Sequence, residues 1–370
     1  MLRLYNRASG AVEELELREP GVVTMYVCGP TVYDVAHVGH GRFALVFDVI
    51  RRYLDWCGLR VRHVSNITDV DDKIIARAQR EGRTEDDVAR EYEAEWYRTM
   101  DALGIARPHE TPHATQYVER MVELISDLEA RDSAYATSTG VYFDVRSVGD
   151  YGLLAQQSLD SLAAGARIEP DEEKRSPMDF ALWKRAKEGE PAWDSPWGPG
   201  RPGWHTECVA MSLDLLGPEF DLHGGGLDLA FPHHENERAQ AAALGHRLSR
   251  HWVHNGFVEV GGSKMSKSLD NFTTIEDLLA QSDPRAYRLL VLGSHYRSPI
   301  EVSPATTAAA ASSLQRLDAF ARRARELPEA APDEELLGHF REAMDDDLDT
   351  PRAMAVLYDA VRHANAAIDA

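Results

Sequence analysis

The chain has 370 residues, 44% of them apolar and 27% charged, a balance that excludes a disordered or fibrous polymer and predicts two or three packed units. Lys and Arg number 40 against 61 Asp and Glu, a net charge of −21, so a phosphate-coating surface is excluded as a global property and a nucleic-acid partner needs local basic patches. No run approaches the roughly 18 apolar residues of a membrane span, and the start, MLRLYNRASG, lacks the apolar stretch of a signal peptide, which predicts a cytoplasmic chain with no membrane contact. The three cysteines, Cys28, Cys57 and Cys208, are too few and too scattered for a disulfide framework and point to metal binding or burial.

Residues 22–28 (VVTMYVC) read as a buried strand that stops at Gly29-Pro30. After His37-Val38-Gly39-His40-Gly41 the segment from Arg42 to Gly58 has helical spacing, with Cys57 expected in its core, and residues 60–67 alternate like a second strand. Strand, loop, helix, strand builds a doubly wound parallel sheet, and ligands bind such sheets beyond the carboxyl ends of the strands. Helical periodicity returns over Thr84–Leu103 and Thr115–Leu128, the stretch from about 135 to 200 turns irregular and rich in Trp, Gly and Pro, and residues 218–222 and 252–260 read as returning strands. Beyond about residue 304 the pattern is Ala-rich and helical, as in a small bundle, and it stops in mid-pattern at Ala370 without a capping signal, as either a truncated or a naturally short chain would.

Three groups of residues carry chemistry. His37 and His40 flank Gly39 in a loop leading into a helix, where imidazoles and outward-pointing N–H groups suit a phosphate and the glycine lets it approach. Such a pair alone is common on surfaces and in cores. Lys264-Met265-Ser266-Lys267-Ser268, behind Gly261-Gly262, places two ammonium groups three residues apart on a loop, able to neutralise a triphosphate as pyrophosphate leaves. Cys28, Cys208, His233 and Glu237 form the second group: the last two, four apart after Pro232, suit the first turn of a helix, and two thiolates, an imidazole and a carboxylate suit tetrahedral zinc, unless the cysteines are simply buried. In the third, Gly224, Gly225 and Gly226 clear space for a flat base and Asp228 can accept from ribose hydroxyls, although a Gly turn between strand and helix has the same appearance.

Together, HVGH and KMSKS resemble the two signatures of class I aminoacyl-tRNA synthetases. YVCGPTVYD, NITDVDDKI, KRSPMDFALWK, GRPGWHTEC, HGGGLDLAFPHHENE and DDDLDTPRA extend the resemblance, specifically to cysteinyl-tRNA synthetases, over nearly the whole chain. The resemblance implies an α/β fold: a Rossmann-like catalytic domain (1–115 and 201–250) with a connective insertion (116–200), a KMSKS-bearing stem-contact region (251–304) and an incomplete helical bundle (305–370) lacking the anticodon-binding tail. It implies activation of L-cysteine by ATP with Mg2+, transfer of the cysteinyl group to tRNA(Cys), and a monomer. Position by position, it makes Cys28, Cys208, His233 and Glu237 the Zn2+ ligands. It places Gly29, Thr68, Trp204 and His205 in the amino-acid pocket, and Gly39, Gly224, Gly225, Gly226, Asp228 and Lys267 on the nucleotide. His37, His40, Lys264 and Lys267 become the catalytic phosphate-handling groups.

The physical logic agrees. Zinc binds a thiolate strongly and a hydroxyl poorly, so a metal–sulfur bond can reject serine by roughly a thousandfold without proofreading. Two other readings compete: a cysteine:aminosugar ligase of the mycothiol pathway, which uses the same adenylate, and a catalytically silent zinc-stabilised module that binds tRNA or a partner protein. Lys184-Arg185-Ala186-Lys187 is a modest candidate for a tRNA-facing patch or an ordinary solvated surface.

Overall fold

The structure, a computed structural model, describes residues 2–159, 161–162, 173–260, 263–264, 273–328 and 331–370. The chain opens with an antiparallel hairpin, β1 (Arg3–Asn6) and β2 (Ala11–Glu14), which the sequence pattern did not reveal. The expected unit follows: β3 (Val22–Val27), helix α1 (Val38–Trp56) and β4 (Arg60–Ser65). Helix α1 starts four residues earlier than the apolar periodicity indicated, because His37 caps it and draws Val38, Gly39 and His40 into its first turn. Cys57, expected in the core, is exposed at the C-terminal cap of α1.

Two helices come next, α2 (Asp72–Glu81) and α3 (Glu85–Ala102), followed by α4 (Val118–Ala130). Helix α2 begins at the end of NITDVDDKI and runs beyond it, its charged residues masking a three-residue apolar stripe of Ile74, Ile75 and Ala78. The irregular stretch holds short strands, β5 (Ala134–Ala136), β6 (Gly140–Phe143), β7 (Phe180–Arg185) and β8 (Gly200–Pro202), in one antiparallel sheet. Its core is Phe143, Leu182 and Trp183.

The chain then returns through α5 (Trp204–Leu216), β9 (Phe220–Gly226), α6 (Glu235–Ala243) and β10 (Ser249–Asn255). Strands β10, β9, β3 and β4, in that order, form one parallel sheet, with Tyr26 level with His223 on one side and Val64 on the other. This is the doubly wound α/β architecture. A smaller sheet joins β11 (Val258–Val260), β12 (Ser263–Lys264) and β13 (Ile300–Glu301), with α7 (Ile275–Leu279) and α8 (Pro284–Leu292) between the last two strands. Helices α9 (Pro304–Ala324), α10 (Glu334–Asp345) and α11 (Thr350–Asp369) complete the chain. No helix is long and apolar enough among the described residues to cross a membrane.

Helix α1 is the organising element. Its inner face buries Leu45, Phe47, Ile50 and Leu54 against Met25 and Leu222 of the sheet. One turn into the helix, buried Arg42 donates to the carbonyls of Phe257 at 2.6 Å, Tyr296 at 3.1 Å, and Ser298. A guanidinium held among the described residues by neutral carbonyl dipoles is costly to bury, and burial pushes its pKa down to about 10. Arg42 thus ties α1 to segments more than two hundred residues away. Arg42→Gln is expected to lower Tm by roughly 5–10 °C, since several carbonyls lose a charged donor, whereas Arg62→Gln, breaking a half-exposed pair with Glu110, should change Tm by less than about 2 °C.

His63 on β4 is buried with neither ring nitrogen hydrogen-bonded among the described residues. Burial, with the nearby charges of Arg51 and His109, pushes its pKa down to about 3. The unfolded chain, titrating near 6.5, therefore binds one more proton between those values, so stability is complete above pH about 6.5 and falls as acid is added, by up to ~1.4 kcal/mol per pH unit. Denaturant titrations of His63→Leu between pH 4 and 7 should show a flatter acid limb than the parent.

Candidate active site and metal centre

A cavity of about 380 Å³ opens beyond the carboxyl ends of β3 and β9, walled by Cys28 and Gly29 at one end, His37, Gly39 and His40 along one side, and Gly226, Asp228 and Gly256 at the other. Its position follows from topology: β3 and β9 run parallel, and the chain leaves each toward opposite sides.

Cys28, which lines the cavity, belongs to a cluster of four buried side chains. Cys28 follows β3, Cys208 lies in α5, and His233 and Glu237 flank the start of α6. The Cys28 and Cys208 sulfurs are 3.5 Å apart, Cys28 Sγ is 3.3 Å from Glu237 Oε1, Cys208 Sγ is 3.6 Å from His233 Nε2, and His233 Nε2 is 3.0 Å from Glu237 Oε1. Zinc–sulfur bonds of about 2.3 Å and zinc–nitrogen bonds of about 2.0 Å place tetrahedral ligands about 3.3–3.8 Å apart. Four of the six donor–donor distances are at or a little below those edges, and all four donors lie within 4.8 Å of one another, so the residues fit a zinc ion. His233 stands where its spacing after Pro232 had suggested: extended Phe231 breaks the chain, and the helical residues that follow it, His233 among them, lead directly into α6 at Glu235.

The electrostatics report the same crowding. Burial and the adjacent Cys208 and Glu237 push the Cys28 thiol well up. Burial would also raise Cys208, but hydrogen bonds from Cys28 and His233 outweigh it and bring that thiol down to about 6. Burial opposes the charge on His233, yet Glu237 and Cys208 raise it to about 10; burial likewise opposes ionisation of Glu237, which His223 and His233 nevertheless hold well below the carboxylate range. Around this quartet lies a second layer. His205 Nδ1 is 2.9 Å from His233 Nδ1, Trp204 stacks on the His233 ring at 4.0 Å, and His223 Nε2 is 2.7 Å from Glu237 Oε2. Cys28, His223, His234 and Glu237 offer a second, overlapping donor group.

Along the side wall, His37 and His40 cap α1 reciprocally: each Nδ1 accepts the backbone N–H of the other at 3.3 Å, and the rings stack 3.6 Å apart. Using both Nδ1 atoms as acceptors leaves the proton of each neutral ring on Nε2. The chain that follows the KMSKS segment closes on the same spot: Val38 donates to the Thr273 carbonyl at 3.1 Å and Ile275 to the Ala36 carbonyl at 3.0 Å. Backbone hydrogen bonds thus join the first signature to the chain that begins five residues beyond the second. Lys264 lies in β12, paired with Glu259; Lys267 and the rest of the motif, with Gly261 and Gly262, lie outside the described residues.

Not every candidate faces the cavity. Gly39, Gly226 and Asp228 line it; Gly224 and Gly225 are buried within β9. A Cβ on Gly224 would lie 2.2 Å from the Phe47 ring, so that glycine serves the packing of α1 on the sheet. Gly29 and Trp204 line the cavity, while Thr68 is buried beneath it and His205 stands behind His233. Gly29 has no alternative, because a Cβ there would fall 1.6 Å from the Asn66 carbonyl. Lys184 of the basic run is paired with Asp72 at 2.6 Å.

A family model described as "tRNA synthetases class I (C) catalytic domain" matches residues 14–312 and one described as "DALR domain" matches residues 339–370. A cysteine–tRNA ligase of Syntrophotalea carbinolica is 49% identical over 373 residues, covering 98% of this chain and 78% of the relative. The chain belongs to the cysteine–tRNA ligase family. A second relative in that family, from Halorhodospira halophila, is 49% identical over 99% of this chain and 80% of its own length. A solved structure of Mycobacterium tuberculosis methionyl-tRNA synthetase in complex with methionyl-adenylate superposes with a TM-score of 0.71 over 93% of this chain and 82% of that one, at 17% identity, and so shares the class I fold.

Inside this cysteine–tRNA ligase fold, sequence reasoning missed Asn66, Glu207 and His223. Asn66 Oδ1 accepts from Gly29 N at 2.8 Å and from Tyr26 Oη at 3.2 Å, its amide donates to Thr68 Oγ1 at 3.2 Å, and Thr68 Oγ1 donates to Glu207 Oε2 at 2.7 Å. Asn66 and Glu207 lay inside quoted motifs, but no spacing rule singles them out. For the helix–sheet contact, Gly224→Ala should lower Tm by several degrees through the Phe47 clash, and Phe47→Leu in the same chain should recover part of that loss; thermal melts of the single and double variants decide it.

Proposed function

We propose that this chain joins L-cysteine to ATP, forming cysteinyl-adenylate and pyrophosphate, and then passes the cysteinyl group to the 3′ end of tRNA(Cys). The observation that carries the reading is the meeting, in one cavity, of Cys28, one member of the buried thiol-rich donor quartet, with the His37–His40 pair. Relatives named as cysteine–tRNA ligases at 49% identity support it and weigh against the aminosugar ligase.

Cys28, Cys208, His233 and Glu237 would hold a Zn2+ ion, which when bound supplies a Lewis acid for the substrate sulfur. Trp204 and His205 brace His233, and the Asn66–Thr68 pair fixes the Gly29 backbone beside the ligand sulfur. The amino acid is thereby held with its carboxylate toward the His37–His40 wall. There the carboxylate attacks the α-phosphorus of ATP in line; the bond to the bridging oxygen breaks and pyrophosphate leaves with that electron pair. The imidazole Nε2–H groups of His37 and His40 donate to phosphate oxygens, and Lys264 and Lys267, with Mg2+ on the nucleotide, take up the growing charge. Gly39 and Gly226 allow the nucleotide close to backbone, with Gly224 and Gly225 shaping the strand beneath, and Asp228 accepts from ribose. On this reading residues 1–115 and 201–250 form the catalytic unit, 116–200 the connective insertion, 251–304 the stem-contact region and 305–370 the helical region.

The test combines elemental analysis, cysteine-dependent ATP–pyrophosphate exchange and tRNA charging. The parent is expected to carry one zinc per chain and to charge total tRNA. Lys267→Ala should slow exchange by roughly a hundredfold with zinc unchanged, and Cys208→Ser should lose zinc or discrimination against serine. Exchange without transfer to tRNA would favour the aminosugar acceptor, and absence of both would sink the proposal.

A further inference from the structure

The two carboxylate oxygens of Glu237 face different partners. Oε1 points into the donor quartet, 3.0 Å from His233 Nε2 and 3.3 Å from Cys28 Sγ. Oε2 points away from it, 2.7 Å from His223 Nε2. His223 is level with Tyr26 in β9, fully buried, and its ring is fixed by stacking on Trp252 at 4.5 Å with 15° between planes and by the edge of Tyr26 at 5.4 Å. Its Nδ1 has no hydrogen-bond partner among the described residues. A neutral ring with an unpartnered Nδ1 and a carboxylate at Nε2 carries its hydrogen on Nε2 and donates it to Oε2.

We propose that His223 is a positioning residue that confines Glu237 to a single liganding oxygen, so that the metal keeps a coordination position for the sulfur of the incoming cysteine. The inference rests on the zinc reading of the quartet. A carboxylate can ligate through one oxygen or through both. At this site the second oxygen is buried, and without a donor it has no water to turn to, so the nearest cation becomes its partner. Two-oxygen coordination would then occupy the place that thiolate binding needs. Hydrogen bonds to metal-bound carboxylates set ligand geometry in this manner in metal sites generally. His223 therefore acts on the strength of sulfur binding rather than on whether metal is present.

His223→Phe keeps a flat ring on Trp252 and removes the donor; His223→Asn keeps a polar group too short to reach Oε2; His223→Gln can return an amide N–H to the position of Nε2. Each full-length variant is assayed for zinc per chain, for KM of cysteine and of ATP in pyrophosphate exchange, and, after cobalt substitution, for the sulfur-to-metal absorption band on adding cysteine. The Phe and Asn variants are expected to retain metal, to need about tenfold or more cysteine for half-development of the band and for KM, and to leave KM for ATP unchanged; Gln should lie within a few-fold of the parent. Should Phe be unable to fold, Asn supplies the same comparison. Parental cysteine affinity in metal-bearing Phe or Asn chains overturns the proposal. So does loss of metal from all three, which would make His223 a ligand through the second donor group. A parent without metal would instead overturn the zinc reading.

Discussion

Two thiols, an imidazole and a carboxylate packed within 4.8 Å of one another, away from solvent, are the constraint on which the rest of the site depends. Burying one unpaired ionised group costs several kcal/mol, and here up to three anions share one imidazole. Without a cation the cluster must hold protons, and the opposed shifts of Cys28 and Cys208 express that competition. A divalent ion resolves it, because it is the one partner that accepts all four donors at once.

The fold supplies that convergence from three separate pieces of chain. The end of β3 brings Cys28, the first turns of α5 bring Cys208, and the turn before α6 brings His233. None is held by its neighbours in sequence. Cys28 is set by pairing of β3 with β9, where its backbone N–H donates to the Gly224 carbonyl at 3.2 Å. The same pairing brings His223 level with Tyr26 and so puts the Glu237 partner under the cluster. Strand register, a property of the whole sheet, thus helps set the ligand geometry.

Much of this was legible beforehand because its signals are local. The β3–α1–β4 unit announces itself by an apolar run, a helical stripe and an alternating run, and HVGH and KMSKS are contiguous strings. What stayed hidden needs tertiary contact to acquire meaning. Residues 135–200 looked irregular because their strands are short, three to six residues, and are interrupted by a Pro/Gly-rich stretch between β7 and β8. Three successive glycines suggested a ligand-facing loop, yet Gly224 is small because Phe47 from α1 stands above it. His223, Asn66 and Glu207 could not be picked out, since a buried polar residue is recognised by the partner it meets, and each of them meets one between 14 and 139 residues away.

The acidic balance of the chain also takes on a local meaning. Many of its carboxylates neutralise arginines that join distant segments. Asp347, in the DDDLDTPRA motif between α10 and α11, accepts from Tyr5 N at 2.8 Å, Tyr296 Oη at 2.7 Å and Arg297 Nε at 2.8 Å. The turn carrying Tyr296 and Ser298 is the one whose carbonyls receive Arg42, and Arg42 lies two residues beyond His40. A continuous set of charge-assisted and carbonyl hydrogen bonds therefore runs from the helical region to the first turn of α1. Charged hydrogen bonds contribute about 1.5–3 kcal/mol each when sheltered from water, so the buried members of this chain outweigh exposed ion pairs such as Arg62–Glu110. The wall that bears His37 and His40 is consequently braced from behind by residues drawn from both ends of the sequence.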